Sequence, residues 1–230
     1  MALVGVDSTS GEPATPVFTY AGQPSANAAA EDILSQVPEH AREEHHARTG
    51  TVLHHPCYAT AQLKSFLTSR ASSGMEEEEE DPAAGEPLRW TTLSGFVLGQ
   101  WSGLGSRTPV SLSDAAWTGL LNRHTCQWDA AALRYLGLES GMFAPLAADN
   151  SPLQAVKQLR VPGLTASEGA LLSGANVHAG IGDGFAATIA SRCKFAVTAS
   201  PCSDGGGQDD GGGRGQSLRQ SRNVSVTMGT

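Results

Sequence analysis

Two tracts of this chain carry almost nothing that can be buried, and they fix where a core can form. Residues 71–87 hold the run Glu76-Glu77-Glu78-Glu79-Glu80-Asp81 between Ser, Gly, Ala and Pro residues. Contiguous like charges repel one another and stay solvated. Residues 203–222 are glycine-rich and polar, a composition that behaves as flexible coil. Both read as disordered insertions into a folded unit, acidic in the first case and Gly-rich in the second. The glutamate run lacks the turn residues of a calcium loop, so it reads as solvated surface and not as a metal site.

The rest must supply the core. A chain of 230 residues is long enough for one large domain or two small ones. Aromatics make up only 6% while Gly reaches 27 residues, so the core leans on Ala, Leu and Val and loops are many. The net charge is -8, without a basic stripe, which argues against a nucleic-acid partner. The four cysteines form no C-x-x-C pair, so reduced thiols in a cytoplasmic setting are the simpler reading. The segment from Met1 to Asp7 has neither a basic n-region nor a long apolar stretch, so no secretory signal is expected. No run approaches about 18 consecutive apolar residues, so no membrane span is expected.

The apolar pattern predicts an α/β fold. Val4–Val6 and Val17–Tyr20 read as short strands joined by a Gly/Pro/Ser loop. A helix is predicted over Ser25–Arg48, broken near Pro38, and another over Tyr58–Leu67. Further helices are predicted over Trp90–Trp101, Ser111–Leu121 and Asp129–Leu136, with Ser113-Asp114-Ala115 a helix start and Gly119 or Gly137 a stop. Asn176–Gly182 reads as a strand running into a tight turn, with a small-residue helix after it.

That turn holds the first candidate for chemistry, Gly180-Ile181-Gly182-Asp183-Gly184. A carboxylate between glycines, after a strand and before a helix, stands where α/β folds place ligands. Glycines let a substrate approach the backbone, and such an Asp can take a proton from a hydroxyl. The same Asp183 can also do no more than cap the helix. Gly229-Thr230 follows an alternating apolar stretch, and a strand followed by Gly-Thr can cradle phosphate with N–H groups and a hydroxyl. His40, His45, His46, His54 and His55 cluster in sequence, but tandem histidines point apart and the first three belong to a polar helix. They read as solvated side chains, and no residue is assigned to a metal. His55 and Tyr58 differ, because they fall at a turn-to-helix junction that can face a ligand. Trp117, Trp128 and Tyr135 can form a stacking wall for a sugar or pack as core.

Several segments then align in one order: Pro16-Val17-Phe18-Thr19-Tyr20-Ala21, Thr49-Gly50 with His55-Pro56-Cys57-Tyr58, and Ser113-Asp114-Ala115-Ala116-Trp117-Thr118-Gly119-Leu120-Leu121 with Trp128-Asp129. Gly182-Asp183-Gly184 and Val226-Thr227-Met228-Gly229-Thr230 complete the series. Together they resemble the FGGY family of carbohydrate kinases, most of all its gluconate-kinase-like members. The resemblance implies a partial actin-like or RNase H-like ATPase domain over residues 1–230, with the two low-complexity insertions inside it. It implies transfer of the ATP γ-phosphate, with Mg2+, to a hydroxyl of a small-molecule sugar or sugar acid. By residue match it makes Asp183 the catalytic base, places Tyr58 and His55 at the substrate, and makes Gly229 and Thr230 the start of a phosphate loop. It also implies that the family's first Asp-Gly-Thr loop lies before Met1 and that a second kinase domain, holding adenine, is the missing partner after Thr230. Two positions depart from the family. Its Trp-x-Asp-x-Arg reads Tyr20-Ala21-Gly22-Gln23-Pro24 here, and its Gly-Ser-Gly-Cys turn reads Ala190-Ser191-Arg192-Cys193. A kinase acting on xylulose or another pentulose, and a non-catalytic sugar-binding relative, are the alternatives to a gluconate kinase.

Overall fold

A computed structural model describes residues 2–21, 24–72, 88–147, 151–153, 159–172, 174–182 and 186. Its centre is a three-stranded antiparallel sheet of β1 (Ala2–Asp7), β2 (Phe18–Thr19) and β3 (Leu88–Thr92), ordered β2-β1-β3. The register pairs Leu3 with Phe18 on one side and Val4 with Thr91 on the other. Successive strand side chains point to opposite faces. Leu3 and Val4 are both fully buried, so β1 is covered on both faces. Gly5 has a local reason. The loop after β1 folds back so that Thr15 Oγ1 accepts the Gly5 N–H at 2.8 Å, and a Cβ on Gly5 would lie 2.8 Å from Thr15 Cγ2.

Helices α1 (Pro24–Gln36) and α2 (Glu39–Thr49) divide at Pro38, as the sequence predicts. The ring fixes φ and removes the N–H that a continuous helix needs. Gly50 closes α2 in the left-handed conformation at φ 79°, donating its N–H to His46 O. Helix α1 buries Ala26, Ala29, Ala30 and Ile33, one stripe at helical spacing. It packs on α3 (Ala59–Ser72), and Lys64 of α3 reaches Asp32 of α1 at 2.5 Å. The rings of Phe18, Phe66 and Trp90 meet within 5.4–6.0 Å and join β2, α3 and β3.

The sequence predicts one helix from Trp90 to Trp101, and the structure corrects this. Leu88–Thr92 is β3, and α4 begins only at Leu93 and runs to Ser102. Thr92 accepts the Gly95 N–H as N-cap, so the turn from strand to helix is closed by a side chain. The predicted helix over Ser111–Leu121 is likewise shorter. Helix α5 covers Leu112–Trp117, Gly119 turns out at φ 77°, and Leu121–Asn122 becomes β4, paired with β5 (Gln127–Trp128). Helix α6 (Ala130–Tyr135) follows, and α7 (Ala166–Leu171) opens on a capping box of Thr165 and Glu168.

The expectation that His45 is solvated is overturned. It is 2% exposed, and its Nε2 lies 3.3 Å from Thr51 Oγ1. Helix α2 buries a polar face, His45 with Thr49, which hydropathy alone does not reveal. Burial pushes the imidazole pKa down to about 4, with the Asp129 charge opposing and Arg48 and His46 assisting. The unfolded chain therefore takes up a proton near pH 6.5 that the folded chain refuses until about pH 4. Stability is full above pH 6.5 and is lost as pH falls. Between pH 7 and pH 5 the loss is expected to be about 2 kcal/mol. Urea melts across that range check it, and His45→Gln should flatten the dependence; a wild-type midpoint constant with pH would refute it.

Helix α2 is tied to α6 by a second buried polar group. Asp129, 2% exposed, accepts Arg48 Nε at 2.7 Å and Arg48 Nη2 at 3.3 Å. It also accepts Asn122 Nδ2 at 3.2 Å and, as N-cap of α6, the Ala132 N–H at 2.9 Å.

Candidate functional site

Helix α5 organises the candidate site, because both of its ends hold segments singled out by the sequence. At its start, Ser111 caps the helix by accepting the Asp114 N–H at 3.1 Å. The Asp114 carboxylate turns toward the start of α4, where its Oδ2 accepts from Thr92 Oγ1 at 3.2 Å and from Ser94 Oγ. Burial raises the Asp114 pKa, and the Ser94 and Thr92 hydroxyls oppose that rise.

The segment approaching residue 183 lies on this platform. Gly182 donates its N–H to Ser113 Oγ at 3.1 Å. A Cβ on Gly182 would stand 2.8 Å from Trp117 Nε1, and one on Gly180 3.0 Å from Ser94 Cβ. Both glycines are in close approach, and a side chain at Gly182 would force the Trp117 indole to shift. Asn176–Gly182, predicted as a strand, forms none; Val177 O accepts the Leu153 N–H at 2.6 Å, and Ser113 of α5 takes the Gly182 N–H. Ala186 donates to Gly182 O at 3.0 Å, the spacing of one helical turn. Asp183 itself lies outside the described residues, as do Gly229 and Thr230, and the insertions are outside them except for the last residues of α3.

At the other end of α5, Thr118 O accepts the Ala59 N–H at 3.0 Å. A Cβ on Gly119 would lie 3.2 Å from Tyr58 Cβ, so the glycine lets Tyr58 close against this end. The structure brings Tyr58 and His55 together, with ring centroids 5.7 Å apart in an edge-to-face arrangement. His55 is exposed and its Nδ1 accepts the Cys57 N–H at 3.2 Å, which leaves Nε2 as the N–H of the neutral ring. Tyr58 is half-buried.

The three-ring wall of Trp117, Trp128 and Tyr135 does not form. Trp128 is core, donating Nε1–H to Ala144 O at 3.0 Å, with its ring 5.0 Å from that of Phe143. The Tyr135 hydroxyl is engaged by Lys64 at 2.7 Å. Trp117 alone remains outside, 49% exposed. The docking of Gly182 on Ser113 and Trp117, and of Gly180 on Ser94, was not foreseen from the sequence.

A separate cleft of about 650 Å³ is lined by Arg89, Leu112, Cys126, Trp128 and Phe143, among others, and by neither Tyr58 nor His55. Cys57 and Cys126 are free thiols. Among the described residues no three metal-ligating side chains converge, and no helix is long and apolar enough to cross a membrane.

The fold, a mixed helix-and-sheet unit, is one found within sugar kinases. A gluconate kinase from Lactobacillus acidophilus superposes with a TM-score of 0.60 at 17% identity, over 80% of this chain and 32% of that one. A xylulose kinase from the same organism gives 0.60 at 19% identity, over 83% and 34%. Glycerol kinase from Plasmodium falciparum gives 0.62 at 11% identity, over 83% and 34%. The chain thus spans about a third of the length of the kinases whose fold it shares. No family model matches the sequence, and no curated protein does.

Proposed function

We propose that this chain is the acceptor-binding part of an ATP-dependent carbohydrate kinase of the FGGY type, with gluconate as the acceptor. ATP with Mg2+, when bound, supplies the γ-phosphoryl group that the sugar hydroxyl accepts, and ADP leaves. Asp183 takes the proton of that hydroxyl and orients its oxygen for in-line attack. Tyr58 and His55 hydrogen-bond other hydroxyls of the acceptor and fix which one faces Asp183. Gly229 and Thr230 receive phosphate through backbone N–H groups and a hydroxyl.

One observation carries this reading. Gly182, the residue before the proposed base, is anchored by Ser113 on the same six-residue helix whose far end seats Tyr58. The shared fold of the gluconate, xylulose and glycerol kinases supports it independently.

A second reading is a non-catalytic relative that binds a sugar without phosphorylating it. Tyr20 favours it: the ring is 56% exposed, and the stretch around it lacks the acid and the base of the family pattern. A coupled ADP-release assay separates the two. A longer protein carrying this chain and a nucleotide-binding domain is expected to show gluconate-dependent turnover, and the 230-residue chain alone is expected to show none. Sugar binding without turnover in the longer protein would support the second reading. Absence of binding to gluconate, xylulose and glycerol alike would sink both.

A further inference from the structure

We propose that Trp117 is a stacking platform that selects acceptors of five or six carbons, an inference that rests on the carbohydrate-kinase reading of this site. The four tryptophans divide sharply. Trp90 and Trp128 are core, Trp101 is half-buried, and Trp117 holds about half its surface in solvent. A large aromatic side chain left half in solvent keeps an apolar plane open to a ligand.

Trp117 also touches the segment that approaches residue 183. Its Nε1/Cδ1 edge abuts the backbone at Gly182, which Ser113 fixes through a hydrogen bond. Along α5, Trp117 follows Ser113 by four residues and Asp114 by three, so each of the two is its neighbour on the helix surface. Beside the indole lie two things a polyol needs: an apolar plane for its C–H face, and the half-buried Ser94 hydroxyl and Asp114 carboxylate, which hydrogen-bond each other. Gly119, two residues beyond the indole, backs onto Tyr58, so a hydroxyl-bonding ring stands close by along the chain.

A chain of five or six carbons covers an indole, and glycerol with three does not. Calorimetric titration of the 230-residue chain with gluconate, xylulose and glycerol tests this. Trp117→Ala is expected to weaken gluconate and xylulose binding about 10-fold, and Trp117→Phe by no more than about 2-fold. Glycerol affinity should change by less than about 2-fold in either variant. Equal binding of gluconate and xylulose to wild type and Trp117→Ala would overturn the platform and leave the kinase reading standing. No binding of any of the three to wild type would overturn the kinase reading, and the platform with it. Acrylamide quenching of the wild-type chain gives the same answer without a variant. Saturating gluconate should shield the exposed indole, and quenching unchanged by bound gluconate would place the ligand elsewhere.

Discussion

Asp183→Ala is expected to lower kcat for gluconate by about 100-fold or more, with KM changed far less. A base that acts on the hydroxyl proton works mainly in the transition state, so its loss appears in kcat before it appears in binding. The assay needs a protein that joins this chain to a nucleotide-binding domain. The local frame should survive the substitution. Gly182 is held through its backbone N–H by Ser113, and Ala186 closes a helical turn onto Gly182 O. Neither bond uses the side chain at 183. An unchanged kcat would remove Asp183 from the base role. A loss confined to KM would make it a binding group.

Asp129→Ala is expected to cost about 3–4 kcal/mol of unfolding free energy, seen as a lower urea midpoint at unchanged slope. The carboxylate is buried and takes four hydrogen bonds, from Arg48 twice, Asn122 and the Ala132 amide. Removing it strands a half-buried guanidinium and uncaps α6. Burial by itself would raise the Asp129 pKa. The Arg48 hydrogen bond, the Ala132 amide and the charges of Arg48 and His45 outweigh it and hold the carboxyl below its usual 3.8. This contribution is therefore present above that value and is lost as pH falls through the lower, folded-state one. A midpoint shifted by less than about 1 kcal/mol would mean that Arg48 finds water at little cost.

The strands and helices were legible where a local signal marked their ends. Pro38 divides α1 from α2, and Gly119 turns the chain out beyond α5, because the ring of one and the missing Cβ of the other act on their own backbone. Trp90–Thr92 was not legible as strand. Its backbone is claimed by Val4 and Gly5, more than eighty residues earlier, and that pairing outweighs a helical apolar rhythm. The pair Thr91-Thr92, β-branched and ending on a good N-cap, is the signal that marks the boundary. His45 escaped for a different reason: the face of α2 that it buries is polar, and polarity patterning reads such a face as solvent. Tyr58 and His55 were found as neighbours because a turn-to-helix junction sets them close in sequence. The platform of Ser94, Ser113 and Trp117 joins segments about seventy to ninety residues apart in the chain from Gly182, and no local pattern encodes it.

Six residues of helix serve two masters: the glycine turn at one end and the Tyr58 junction at the other. A tilt of that rod cannot retune recognition without also dragging the turn out of line. On the carbohydrate-kinase reading proposed above, diversification toward new acceptors has its freer route through Val52 and His55, which face solvent in the irregular stretch 51–58 and bear on neither anchor of the glycine turn. Lineages sharing this architecture should vary there first and keep the rod nearly frozen.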